Sequence, residues 1–240
     1  MKNVQTSTFD AKQFSQFKNQ LVILAKITSP YNINFIEAFK FQNHHFLVID
    51  DMLEYGPLKD VINARHYDYT ESFARYALNN IAQGIKTLHQ AHIVHRGISE
   101  ENIYCTAEYA KLAVFTQSVF LTEREIDRTS RFGEEQSSAP EILLGVAYGK
   151  PIDIWSLGLL AYHLASGRPL FNQENHSIKV LEEDHSEELY RLPGCEDATK
   201  TPFSDAYQQF INKCLAVEPS QRPTIETLLE EPLLKGAEQF

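Results

Sequence analysis

A chain of 240 residues with 43% hydrophobic content can bury one large core or two small lobes. Its formal net charge of -10 argues against nucleic acid as a direct ligand and against an anionic membrane face, since phosphate-rich surfaces attract Lys and Arg. The three cysteines, Cys105, Cys195 and Cys214, are widely spaced and form neither a CxxC pair nor a metal-ligand rhythm, so reduced thiols in a cytoplasmic or nuclear protein are expected. No apolar run approaches the about 20 residues that a bilayer demands, and the polar N-terminus lacks a signal-peptide core.

The first glycine is Gly56. Before it, Phe14, Phe17, Leu21, Leu24 and Ile27 recur at helical spacing, which predicts a one-faced helix over residues 10–28, stopped by Ser29-Pro30. Two apolar runs, Ile33–Phe41 and His45–Ile49, flank Gln42-Asn43-His44 and read as a β-hairpin. Asp50–Gly56 is a polar connector. From Thr70 a long helix carries Phe73, Ala77, Ile81, Ile85 and Leu88 on one stripe, with Glu71 in its first turn. Residues 153–164 are apolar almost all round, which predicts a buried central helix stopped by Ser166-Gly167-Arg168-Pro169. Two further helices are expected near 204–215 and 224–231. On pattern alone the fold class is α+β and mostly helical.

Several motifs sharpen this. The stretch Ile93–Ile103, containing His95, Arg96, Gly97 and Asn102, resembles the catalytic loop of eukaryotic protein kinases, H-R-D-x-x-x-x-N. Lys111-Leu112-Ala113-Val114-Phe115-Thr116 resembles the strand and magnesium loop ending in D-F-G. Ser138-Ala139-Pro140-Glu141 carries A-P-E, Asp153-Ile154-Trp155-Ser156-Leu157-Gly158 matches D-x-W-S-x-G, and Glu218–Thr224 is close to D-P-x-x-R-P-T. Each alone is weak, but they occur in order across nearly the whole chain. The resemblance implies a bilobal protein-kinase-like α+β fold in one domain, 1–240. Residues 1–50 would be a partial N-lobe with a small antiparallel sheet and one helix, 51–56 the hinge, and 57–240 an intact, mainly helical C-lobe. It also implies a buried Glu141–Arg222 ion pair, an Asp153 bonded to the loop backbone above Trp155, and stacked interlobe positions at His95, Phe115 and Leu24.

The chemistry of phosphoryl transfer needs positioned carboxylates, a neutralising lysine and metal ligands, and these are the residues that depart from the pattern. Gly97 stands at the catalytic Asp, Ser99 at the loop lysine, Val114 at the magnesium-binding Asp, Thr116 at its glycine and Glu134 at a threonine that would bond to them. No glycine-rich loop is found in residues 1–55. Lys2 resembles the nucleotide lysine of V-A-x-K, as an alternative to a frayed surface lysine, and its expected glutamate partner is Gln20. On this resemblance an incomplete gene product with further strands upstream is one reading of the chain's start. Valine cannot ligate a hard cation, so Asn102 is at most a vestigial metal ligand. Lys2, Ile49, Asp50, Met52 and Asn102 are candidate nucleotide contacts.

The expectation is a pseudokinase: a signalling or scaffold module that binds protein partners, an active kinase or a signalling complex among them. It requires no cofactor, its use of ATP and magnesium is weak or absent, and it neither binds nucleic acid nor inserts into a membrane. A cytoplasmic location, with the nucleus open to it, goes with this. The alternative is a serine/threonine kinase with ATP binding and residual or unconventional transfer, for which Glu100, Glu101 and Asp50 lie near the expected cleft. Thr129 and Ser130, beside Arg128 and Arg131, are candidate phosphorylation sites for Arg96, which reads equally as a structural residue. Specificity would lie in segments such as 172–200.

Overall fold

The structure, a computed structural model, describes residues 2–4, 10–42, 44–50, 56–63, 70–105, 110–121, 137–171, 190–192 and 203–237. Helix α1, Ala11–Leu24, begins where Asp10 and Gln13 close a capping box: Asp10 Oδ1 accepts from Gln13 N at 2.7 Å, and Gln13 Oε1 accepts from Asp10 N at 3.0 Å. It ends at Leu24, short of the Ser29-Pro30 stop. Ile27 is nonetheless buried, from the turn that follows, so the apolar stripe outruns the helix because tertiary packing also claims that residue. Strands β1 (Lys2–Val4), β2 (Phe35–Phe41) and β3 (His44–Ile49) form an antiparallel sheet in the order β1-β3-β2. The hairpin closes with Phe41 opposite His44, and a register irregularity falls between Phe35 and Glu37. The rings of Phe14 and Phe17 approach His45 at 5.5 and 6.1 Å, seating α1 on the sheet.

The C-terminal part is helical. Helix α2 (Leu58–Asn63) precedes α3 (Glu71–Gln90), whose N-cap Thr70 accepts from Phe73 N at 3.4 Å. Next come α4 (Pro140–Leu143), α5 (Pro151–Ser166), α6 (Asp205–Cys214) and α7 (Ile225–Leu229). Helix α5 is buried on nearly every side and ends at Gly167, whose φ of 70° suits a residue without a side chain. Gly158 lets α6 cross it closely, since a Cβ there would sit 2.7 Å from that of Cys214. Short strands complete the architecture: β4 (Gly56–Pro57), β6 (Ile103–Cys105) and β7 (Ala110–Leu112) form one sheet, and β5 (Ile93–Val94) pairs with β8 (Val119–Phe120).

The two parts are stitched where the chain crosses between them. Ile33 N donates to Leu112 O at 2.8 Å and Leu112 N to Tyr31 O at 3.0 Å. Asn32 Nδ2 donates to Gly84 O at 3.2 Å. A Cβ at position 84 would come within 2.9 Å of Tyr31 O, so this glycine is what admits the crossing chain to α3. Asp50 accepts from Asn34 N and Asn34 Nδ2, both at 2.9 Å, and from Lys111 Nζ at 2.7 Å. A small antiparallel sheet and one helix on a helical C-terminal part is the bilobal, kinase-like α+β fold that the motifs imply.

Candidate functional site

The loop 95–102 lies between β5 and β6 and takes its shape from α5 beneath it. Asp153, fully buried in the first turn of α5, accepts from His95 N at 2.9 Å through Oδ2 and from Arg96 N at 3.0 Å through Oδ1. His89 Nε2 on α3 lies 2.9 Å from the same carboxylate. Burial pushes the Asp153 carboxyl up, but the His89 contact and the loop amides outweigh it and hold the group below its ordinary value. Gly97 N donates to His95 Nδ1 at 3.2 Å, which places the ring proton on Nε2, facing Ala113 O at 3.3 Å. Burial lowers the pKa of His95, in keeping with that neutral ring. The Phe115 ring meets it edge-on at 5.1 Å, and Leu24 of α1 is buried at 1% exposure.

Around this scaffold stand Gly97, Asn102 and Val114, the positions to which the motif resemblance assigns chemistry. A Cβ on Gly97 would meet Asn102 Nδ2 at 3.4 Å, an ordinary contact, so the loop has room for a side chain there. Asn102 spends its amide on the loop, donating from Nδ2 to Gly97 O at 2.9 Å. Val114 sits at φ 60°, a left-handed conformation that a β-branched residue adopts only under strain. Positions 97, 102 and 114 thus present a glycine, a hydrogen-bonded asparagine and a valine, with no carboxylate among them. That donor set does not fit a magnesium ion, which takes oxygen ligands from carboxylates and phosphates.

A cavity of about 500 Å³ opens between the loop and α5, lined on one side by residues 96–102 and on the other by Ser156, Leu160 and His163. Its acids are already partnered. His163 Nδ1 lies 3.5 Å from Glu100 Oε1, and Lys59 Nζ of α2 lies 2.6 Å from Glu101 Oε1. The hydrogen bond from His163, against the opposing effect of burial, holds the Glu100 carboxyl below its usual range. Ile49 and Asp50 stand apart from the described lining of this cavity. Ile49 is half-buried in β3, and Asp50 is engaged by Asn34 and Lys111. Gln20 is half-buried on α1. The Lys2 side chain, Met52, and the 122–136 segment with Thr129, Ser130 and Glu134 lie outside the described residues, as does most of 172–200.

Outside the lining of this cavity, Arg222 Nη1 donates to Glu141 Oε1 at 2.7 Å and Nη2 to Oε2 at 2.9 Å. Its remaining N–H groups donate to the carbonyls of Pro151, Val217 and Ala216, so every guanidinium donor is used. The same guanidinium lies 5.0 Å from the centre of the Trp155 ring, which stacks in turn on Phe171. His163, Lys59 and Lys111 escape a reading of the sequence, because no motif or spacing ties them to the acids that they meet.

The protein kinase domain family matches residues 1–234. A similar curated protein is the calcium/calmodulin-dependent protein kinase cmkA of Emericella nidulans (strain FGSC A4 / ATCC 38163 / CBS 112.46 / NRRL 194 / M139), 32% identical over 222 residues, which make up 91% of this chain and 52% of that protein. The chain therefore spans about half the length of this curated relative. With the bilobal fold, the Asp153-held loop and a family match running from β1 past α7, this chain belongs to the protein kinase domain family.

Proposed function

We propose that the chain is a pseudokinase: a protein-kinase-like signalling or scaffold module that binds protein partners, an active kinase or a signalling complex among them, in the cytoplasm or nucleus. Residues 1–50 serve as a partial N-lobe, 51–56 as the hinge and 57–240 as the C-lobe. The observation that carries this reading is the contrast between an anchored loop and its missing functional groups. Asp153 holds the main chain of His95 and Arg96, while Gly97, Ser99 and Val114 offer no proton acceptor, no neutralising cation and no metal ligand. Losing a proton acceptor or an electrostatic stabiliser costs roughly a factor of 10²–10⁴ each, and such groups act as a unit.

Nucleotide contacts reduce in this reading to the candidates Lys2, Ile49, Asp50, Met52 and Asn102, and ATP binding is weak or absent with no gain from magnesium. His95, Arg96, Phe115, Glu141, Asp153, Trp155 and Arg222 act as structural residues. The rival reading is a serine/threonine kinase with residual transfer. It is favoured by the family itself and by Glu100 and Glu101, which line the same cavity as Gly97. Calorimetry with ATP, with and without magnesium, and radiolabel transfer by purified protein separate the two. No transfer and no magnesium-dependent affinity support the pseudokinase. Transfer abolished by Glu100→Gln or Glu101→Gln and absent from a mock purification establishes the rival.

A further inference from the structure

Helix α1 is fastened to the C-terminal part by bonds that involve neither a nucleotide nor the residue at its expected ion-pair position. Asn19 Nδ2 donates to Ser118 O at 2.6 Å, joining positions 99 residues apart. Ser118 is fully buried, and its hydroxyl donates to His95 O at 3.0 Å, while its own amide donates to Phe115 O at 3.2 Å. His95 N is in turn held by Asp153. A second attachment lies just past the end of α1, where Lys26 Nζ sits 4.6 Å from the centre of the Phe120 ring. Phe120 belongs to β8, opposite Ile93, and Leu121 N donates to His92 O at 2.7 Å. Both anchors of the helix therefore fall on one short stretch of chain, residues 116–121, which is itself bonded to the catalytic-type loop and to the turn after α3.

We propose that Asn19, Ser118 and His95 form a positioning relay that sets where α1 sits, so that the helix follows the 116–121 segment and not a charged pair at Gln20. Glutamine at position 20 carries no charge for a lysine to grip, whereas Asn19 supplies the donor for a carbonyl of a fully buried residue. Removing that donor leaves the carbonyl unpaired, and a buried acceptor left unpaired shifts a local opening equilibrium by about fivefold to 150-fold. A displacement of the 116–121 segment moves the acceptor of Asn19 and the ring under Lys26 together, and α1 moves with them. The relay stands independently of the pseudokinase reading, because it is tested with neither ligand nor activity.

Hydrogen exchange on the full chain tests it, comparing the unmodified protein with Asn19→Ala, Ser118→Ala and Gln20→Ala. The relay predicts that Asn19→Ala speeds exchange of the α1 amides by at least about fivefold and leaves those of α5 unchanged. Ser118→Ala keeps the main-chain carbonyl but cuts the link to His95, so it loosens α1 and residues 116–121 together. Gln20→Ala leaves α1 as protected as before. Unchanged α1 exchange in Asn19→Ala, or equal loosening by Gln20→Ala, overturns the relay. Loss of protection throughout, α5 included, in both Asn19→Ala and Ser118→Ala also overturns it, since the pair would then support the whole fold and not the placement of one helix.

Discussion

Arg222 and Glu141, 81 positions apart in the chain, face each other as a two-pronged pair with side chains 0% and 3% exposed. Such a pair ties α4 to the chain just ahead of α7. Its net worth against an apolar replacement is small, because desolvation offsets attraction, but severing it strands a buried charge.

Glu141→Gln should therefore lower the unfolding free energy by about 3–5 kcal/mol. Urea unfolding followed by circular dichroism measures it. A loss under about 1 kcal/mol would show that Arg222 is satisfied by its three carbonyl acceptors alone.

His92 occupies the position after the C-cap of α3 with φ 56° and an exposed side chain. Glycine takes that left-handed conformation without a Cβ penalty. His92→Gly is expected to raise stability by about 0.5–1 kcal/mol, read as an upward shift in melting temperature. A downward shift would mean that the imidazole makes a contact worth more than the strain.

Acid should weaken the fold in two steps. His95 is buried and its pKa lies below the ordinary 6.5. Below that value the unfolded chain takes up a proton that the folded ring refuses, so stability falls as pH drops from about 7 toward 5, with a slope of at most about 1.4 kcal/mol per pH unit for one proton. Asp153 is depressed below its ordinary 3.8. Its contribution is present above 3.8 and is lost as pH falls through the folded value. Denaturant midpoints across pH should show a flatter upper limb in His95→Gln. An identical slope in that variant would assign the proton elsewhere.

Gly97→Asp should fold normally, with stability within about 1 kcal/mol of the parent, because a Cβ there meets only ordinary contacts. It should not gain transfer, since Val114 and Ser99 still withhold a metal ligand and a cation. Radiolabel incorporation above that of the parent would contradict this.

The elements whose signals are local were readable from the sequence. Helix α3 announces itself through the Phe73-to-Leu88 stripe and Thr70, and α5 through apolarity on all sides. Strands β4 to β8 span only two or three residues each, too few for an alternation to register, and they exist because partners distant in sequence present matching edges. Helix α2, six residues long, is shorter than a stripe needs. In the site, the loop, Asp153 and the Glu141–Arg222 pairing could be approached through motifs. Lys111 at Asp50, His163 at Glu100 and Asn19 at Ser118 could not, because each contact joins parts of the molecule that only folding brings together.

Asp153 reaches its loop through the amide groups of His95 and Arg96, which every residue type except proline possesses. Contour and reactivity are thereby decoupled at this place. Substitutions at 97 or 99 can accumulate without bending the surface that a neighbouring molecule would touch. What the loop carries at 97 or 99 can thus change while its main-chain path stays where Asp153 holds it.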